Sequence, residues 1–380
     1  MVYVTVRQSP MYKNMTIEEF LFDNITNSAL ISKNTSNTKT YRFDVLPDRL
    51  SGKVNKRYLI NLLKKFNANT EELRGRERSK LYCSFFIPKK SGGKRRIDAP
   101  NFELMEALRE LKEIFETAFG ANTAYHTSAF AYIKHRSTID AIKRHQLNES
   151  RWFGKFDLSN FFGNTTLEFT MKQFSMIYPF SEVVKVPEGR AELERALELA
   201  FLNGGLPQGT PISPLITNII MIPIDFALSK HLRNFEENHF IYTRYADDFI
   251  ISCKYDFQYK SVENLLVDTL AEFNAPFSLN REKTRYGSSA GRNFNLGLML
   301  NSDNEITIGY ARKKRLKLLL ETYVKDAKNG MRWPLEEAQV FAGQLSYFRM
   351  VEPETFRKVI DFIDQKYSAN VMAELKANLK

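Results

Sequence analysis

Two spacings of apolar residues alternate along this chain. Leu59, Leu62, Leu63 and Phe66 recur at i, i+3, i+4 and i+7, which predicts an amphipathic helix over 55–67. Upstream, Thr16-Ile17-Glu18-Glu19 has capping-box spacing and predicts a short helix through Phe22, followed by an Asn-, Ser- and Thr-rich loop over 24–40. From Tyr82 the period shortens, and apolar runs on either side of Ser91-Gly92-Gly93 predict a β-hairpin. A helix over 101–120 follows, with Leu104, Leu108, Leu111 and Phe115 on one stripe and Gly120 as its stop.

The second half repeats the alternation. After a helix predicted over 138–145, Trp152-Phe153-Gly154-Lys155-Phe156 reads as a strand that gives way to a turn at Asp157. Helices over 192–202 and 213–228 flank a Gly- and Pro-rich loop. The aromatic and β-branched runs 240–242 and 249–251 predict two strands of a hairpin, and a helix over 262–273 follows. Strands over 294–300 and 306–308 enclose the turn Asn301-Ser302-Asp303-Asn304. From Tyr310 the pattern is helical only, over 310–329, 335–350 and 354–367.

Composition narrows the setting. At 380 residues the chain exceeds one ordinary domain and suggests two or three. A net charge of +11 favours an anionic partner, a nucleic acid or a membrane surface. The cations are spread along the chain and no apolar run approaches bilayer-spanning length, so no membrane partner is expected. Met1 to Arg7 lack the long apolar segment of a secretory leader. Cys83 and Cys253 make neither a disulfide framework nor a zinc pattern, which fits a reduced, cytoplasmic protein.

Several stretches carry chemistry. Tyr245-Ala246-Asp247-Asp248 sets adjacent carboxylates between two strands. Neighbouring strand residues point to opposite faces, so the two share a direction only at a turn, where they repel unless a cation lies between them. A solvated acidic turn is the alternative. Lys89, Lys90, Lys94, Arg95 and Arg96 crowd the tip of the first hairpin, as a polyphosphate cradle or a solvated basic turn. Gly204-Gly205-Leu206-Pro207-Gln208-Gly209 permits close backbone approach to a ligand, or merely starts the next helix. Phe130-Ala131-Tyr132 beside Lys134-His135-Arg136 suits base stacking and phosphate binding. His126, His135 and His145 have no metal-binding spacing and read as polar or packing residues.

Taken in order, the basic hairpin, the isolated Asp157, the Pro207-Gln208-Gly209 loop, the Tyr-Ala-Asp-Asp hairpin and the Lys283-Thr284 segment resemble the fingers, palm and thumb of reverse transcriptases. The resemblance runs from about Tyr82 to the C-terminal helices. It implies an α+β right-hand polymerase fold whose palm is an antiparallel sheet with helices on one face. The expected parts are an N-terminal helical extension over 1–80, fingers with the start of the palm over 81–156, a palm over 157–308 with a finger insertion near 163–203, and a helical thumb over 309–380.

The resemblance also implies an RNA-directed DNA polymerase that adds dNTPs to a primer 3′ hydroxyl on an RNA template, using a pair of Mg²⁺ ions with Mn²⁺ as a substitute. Asp157, Asp247 and Asp248 would be its catalytic carboxylates and metal ligands, joined by the main-chain carbonyl of Leu158. Lys89 and Arg95 would hold the triphosphate, Phe162 would bar a 2′ hydroxyl, and Gln208 and Gly209 would lie near the nucleotide and template base. Lys283 would donate a proton to pyrophosphate or contact a phosphate. Tyr245, a primer grip at Asn295-Leu296-Gly297, and Arg312, Lys313 and Arg315 of a thumb helix would hold nucleic acid.

Ala246 in the box, with Ser137 after Phe130-Ala131-Tyr132, is similar to the bacterial group II intron and retron branches. No maturase-type module is expected after the thumb, which points away from a mobile-intron protein. Retron enzymes typically carry Asn-Ala-x-x-His and Val-Thr-Gly segments, and Asp140-Ala141-Ile142-Lys143-Arg144-His145 and Asn295-Leu296-Gly297 depart from both. The expectation is thus a stand-alone, defence-associated reverse transcriptase working with a structured non-coding RNA in antiphage immunity. A retron enzyme making RNA-linked single-stranded DNA is the alternative. An untemplated or protein-primed polymerase on the same palm and an RNA-binding scaffold without chemistry are further ones, and a second copy or an accessory protein is an open partner.

Overall fold

The computed structural model describes residues 56–89, 92–119, 125–235, 239–290 and 293–379. The helix expected near Phe22, the loop over 24–40 and Lys90 lie outside them. The described residues begin with α1 (Lys56–Asn69), α2 (Glu71–Gly75), β1 (Tyr82–Pro88), β2 (Lys94–Pro100) and α3 (Phe102–Phe119). Then come α4 (Thr138–Leu147), β3 (Trp152–Asp157), α5 (Phe161–Asn164), α6 (Leu167–Phe174), α7 (Phe180–Val184), α8 (Pro187–Glu198), α9 (Ser213–Ile220) and α10 (Ile222–Arg233). The remainder is β4 (Ile241–Tyr245), β5 (Asp248–Cys253), α11 (Tyr259–Glu272), β6 (Arg285–Ser288), β7 (Met299–Leu300), β8 (Ile306–Thr307), α12 (Tyr310–Lys328), α13 (Leu335–Val351), α14 (Pro353–Tyr367) and α15 (Val371–Asn378). The fold is α+β, with a central antiparallel sheet flanked by helices.

Two compact units divide these elements. The first comprises Met1–Thr127, Ser159–Leu228 and Leu266–Ser278. Its core is aromatic: Phe115 meets Phe174 and Phe180 edge-on at 5.7 and 5.2 Å. The apolar stripe of α1, Leu59, Leu63 and Phe66, is buried, and Asn67 on the same helix donates to the Glu192 carboxylate of α8 at 2.6 Å. The antiparallel β1–β2 hairpin belongs to this unit.

The second unit comprises Ser128–Leu158, Ser229–Leu265 and Leu279–Lys380. Its sheet runs β4-β5-β3-β6, antiparallel throughout. Phe153 and Ile250 of the central strands bury one face in a single apolar cluster with Ile139 and Ile142 of α4, Leu298 and Leu300 near β7, and Leu316, Leu320, Phe341, Leu345 and Ile360 of the C-terminal helices. Those helices and the sheet share one core.

Several boundaries differ from the sequence pattern, each for a local reason. The helix expected over 213–228 is two helices, bent by 41° at Met221. Pro223 lacks the N–H that would continue the ladder, and its ring crowds the carbonyl one turn back. The helix expected from Glu192 starts at Pro187, where proline's fixed φ suits the first turn, and it ends at Glu198. β6 carries no alternating pattern because it is a short edge strand of polar residues and glycine. Among the described residues no single helix is long and apolar enough to cross a membrane.

His145 is a packing residue. Fully buried at the end of α4, it places Nδ1 2.6 Å from Ser252 Oγ on β5 and Nε2 2.8 Å from Thr243 Oγ1 on β4. Burial, and secondarily the Arg144 charge, pushes its pKa down to about 3. An unfolded histidine takes up a proton near pH 6.5, so this site's contribution to stability is full above that pH and is lost as pH falls towards 3. Between roughly pH 6.5 and 5, above the titration of ordinary carboxylates, the unfolding free energy should fall by up to about 1.4 kcal/mol per unit. Denaturant titrations should show a flatter pH dependence for His145→Gln; equal slopes would remove the site from this role.

Candidate active site

The carboxylates meet because of strand register. Asp157, last on β3, pairs directly with Asp248, first on β5, and paired residues project from the same face. Asp247 lies in the two-residue turn between β4 and β5, after Ala246 in the left-handed region at φ 58°. Its carbonyl accepts from the Leu158 amide at 3.1 Å, and the Asp157 carbonyl accepts from the Asn280 amide at 2.7 Å. Leu158 also bridges to Leu279, so the β3 end is held from both sides. Lys283, just beyond, donates to both Asp157 oxygens at 2.7 and 2.9 Å.

Like charges crowd here. The Asp248 carboxyl is pushed up to about 6, first by desolvation and then by the charges of Asp247 and Asp157, although the residue as a whole keeps surface in solvent. Lys283 pulls the other way. The Lys283 ammonium is itself held above the ordinary lysine value: burial opposes this, and the hydrogen bond to Asp157 and the surrounding carboxylates outweigh it. Burial pushes the Lys155 amine down to about 8, against the pull of Asp248 and with the help of Arg285.

Among the described residues no three His, Cys, Asp or Glu side chains stand gathered as a ready-made metal site. The donor chemistry nevertheless fits a hard cation. Asp157, Asp247, Asp248 and the Leu158 carbonyl offer oxygen only, and the Asp247 and Asp157 charges add to the burial that raises the proton affinity of Asp248. The ammonium already drawn onto Asp157 answers the same field.

Arg244 has a structural part that the sequence pattern did not signal. It is fully buried on β4, exchanges main-chain hydrogen bonds with Ser128 and Phe130, and donates from Nη1 to the Ala246 carbonyl at 3.1 Å. It thereby braces the turn that carries Asp247. A cation within a strand of aromatic and β-branched residues, immediately before the box, was the available clue.

The other expected residues sit as follows. Lys89 and Arg95 are exposed on the β1–β2 hairpin, while Arg96 is paired with Asp98 at 2.8 Å. The Gln208 carbonyl accepts from the Asp98 amide at 2.8 Å, which brings the Gln208-Gly209 loop onto that hairpin. A Cβ on Gly209 (φ 123°) would lie 2.9 Å from Ile97 Cγ2, so the close approach needs glycine. Phe162 is half-buried beside the fully packed Phe161, and its carbonyl accepts from Leu206 of the same loop. Tyr245 is half-buried at the end of β4.

Leu296 and Gly297, at φ 52° and 82°, form a tight turn closed by reciprocal bonds between Asn295 and Leu298. Arg312 of α12 donates to the Gly297 carbonyl at 2.5 Å. Arg315 is exposed on the same helix, whereas the Lys313 ammonium is 2.9 Å from Glu352, which also accepts from Thr307 and the Ile308 amide.

The sequence profile of the family described as reverse transcriptase (RNA-dependent DNA polymerase) matches residues 87–319, well over half of the chain. The chain belongs to that family and is an RNA-directed DNA polymerase, which implies metal-dependent catalysis on an RNA template with dNTPs as substrates and DNA as product. It is 25% identical over 277 residues to the Retron Ec73 reverse transcriptase of Escherichia coli, covering 72% of this chain and 84% of that one. Against the Retron Ec83 reverse transcriptase of the same organism it is 25% identical over 302 residues, covering 78% and 89%. A solved apo telomerase from Candida tropicalis superposes with TM-score 0.45 and 12% identity over 84% of this chain and 66% of that one, too distant to bear on function.

Within its family the chain is of the bacterial retron type. That favours the retron alternative over the stand-alone defence enzyme expected from the two departing segments. Those segments discriminate poorly for physical reasons. Asp140 completes the capping box of α4 with Ser137, and Gly297 still supplies the positive φ its turn requires.

Replacing Arg244 with methionine should remove the brace beneath the turn and leave buried acceptors unpaired. Urea unfolding of Arg244→Met should show a loss of about 3 kcal/mol; a change within about 0.5 kcal/mol would contradict this role.

Proposed function

We propose that Asp157, Asp247 and Asp248, with the Leu158 carbonyl, are the metal-binding and catalytic groups of this polymerase. The observation that supports it best is the pairing of Asp157 with Asp248 beside the Asp247 turn, with Lys283 drawn in by their charge. Bound Mg²⁺, or Mn²⁺ in its place, would supply activation of the primer 3′ hydroxyl and neutralisation of the departing pyrophosphate. The chain's own groups prepare for that. Main-chain bonds at Leu158 and Asn280 fix where the carboxylates point, and Lys283 has an ammonium within reach of a phosphate once it releases Asp157.

In this reading Lys89 and Arg95 bind the nucleotide's triphosphate, Gln208 and Gly209 line its base, and Phe162 excludes a 2′ hydroxyl. Phe161 takes the core position, which frees the Phe162 ring for that task. Tyr245, the turn Asn295-Leu296-Gly297, Arg312 and Arg315 hold the template–primer, and Lys313 fixes the helix that carries the two arginines. Residues 81–156 with an insertion near 163–203 act as fingers, 157–308 as palm and 309–380 as thumb. The relatives' names favour the retron reading; in it the product is single-stranded DNA linked to a structured non-coding RNA, and we add to it a cytoplasmic setting and a use in antiphage defence.

Asp247→Asn should reduce dNTP incorporation on a primed RNA template by at least about a thousandfold while leaving RNA binding in place. Incorporation near the wild-type rate would sink the assignment. Phe162→Ala should bring ribonucleotide incorporation much closer to that of deoxynucleotides in competition assays. An unchanged preference would take the sugar gate away from Phe162.

A further inference from the structure

Lys155 lies two residues before Asp157 on β3, so the two project from the same face about 7 Å apart along the strand. It stands opposite Ile250 on β5 and Arg285 on β6, which places three side chains in a row across that face. Ile250 is sealed with Phe153 beneath the cluster that contains Leu298 and Leu300, whereas Asp248, one pair further on, reaches solvent. Half-buried Lys155 therefore marks the edge where the covered part of the sheet ends and the carboxylates begin.

Asp248 pulls on the Lys155 charge and Arg285 pushes against it. Like charges opposed on adjacent strands repel. Arg285 donates to the Thr284 carbonyl at 2.8 Å and also to that of Glu282, which leaves its charge uncompensated. Among the described residues no hydrogen bond is made by the Lys155 ammonium, and Asp248 is the carboxylate that acts on it. Such a pair is retained at little cost where a bound anion bridges it. Leu298, which closes the turn Asn295–Leu298, belongs to the same cluster as Phe153, two residues before Lys155 on β3.

We propose that Lys155 and Arg285 form a phosphate subsite for the primer strand next to its 3′ end. The proposal rests on the polymerase reading of Asp157, Asp247 and Asp248.

The test is binding of a fluorescent primer–template duplex to the full chain, without dNTPs, across a range of salt. Lys155→Gln should weaken binding about tenfold and lower the slope of log affinity against log salt by about one, with Arg285→Gln acting in the same direction. Lys155→Arg, which keeps the charge, should restore affinity, a rescue that a merely structural role would not give. The KM for dNTP should stay within about twofold of wild type. Duplex affinity and salt slope unchanged in both Gln variants would overturn the subsite; unchanged affinity with a raised KM would move it to the nucleotide's phosphates and overturn the primer assignment. Wild-type duplex binding without any incorporation would count against the polymerase reading, and the binding comparison would still decide the subsite.

Discussion

Asp157 and Asp248 face each other at the end of the β3–β5 ladder, a placement that repels and that no sheet adopts for its own stability. The strands accept it because the rest of the ladder is strongly determined. Phe153 and Ile250 are buried on one face and Phe156, Phe249 and Ile251 on the other, and a slip of one residue would exchange the two faces and unseat the packing of both. Apolar register thus fixes the position of the charged pair, and the energy stored there is available to a cation. Lys283 is drawn onto Asp157 by that field, and the same charges add to the burial that raises the proton affinity of Asp248.

Polar groups buried around the sheet complete the support. Arg244 holds the turn from below, and His145 ties α4 to β4 and β5 through two hydroxyls, with Ser252 donating on to Ser150. Glu352 gathers Thr307, Ile308 and Lys313 and so secures the start of α12 against β8. Each fixes an element that carries a residue of the proposed site. Buried networks of this kind are costly when half satisfied, which favours a single arrangement of the elements they join.

The β1–β2 hairpin, β3, the β4–β5 box and the C-terminal helices were legible because each has a run of apolar residues at one clear period. The Asp157–Asp248 pairing was not, since strand order and register are tertiary facts: β5 inserts between β4 and β3 although β3 precedes both in the chain. β6 was missed because Arg285-Tyr286-Gly287-Ser288 is held by its neighbour rather than by its own pattern. Nothing in the sequence around Lys155 and Arg244 singles them out, and only their burial and surroundings in the fold distinguish them. The retron likeness was set aside on two short segments, whereas its support is spread thinly over most of the chain.

The central claim is that this chain copies RNA into DNA at the Asp157–Asp247–Asp248 site. The most direct measurement is to give the purified protein a primed RNA of mixed sequence with Mg²⁺ and all four dNTPs, and to sequence what it makes. The account predicts DNA complementary to the supplied template, lost on removal of the metal. DNA whose sequence is independent of the template, or no DNA from protein that binds the primed RNA, would contradict it.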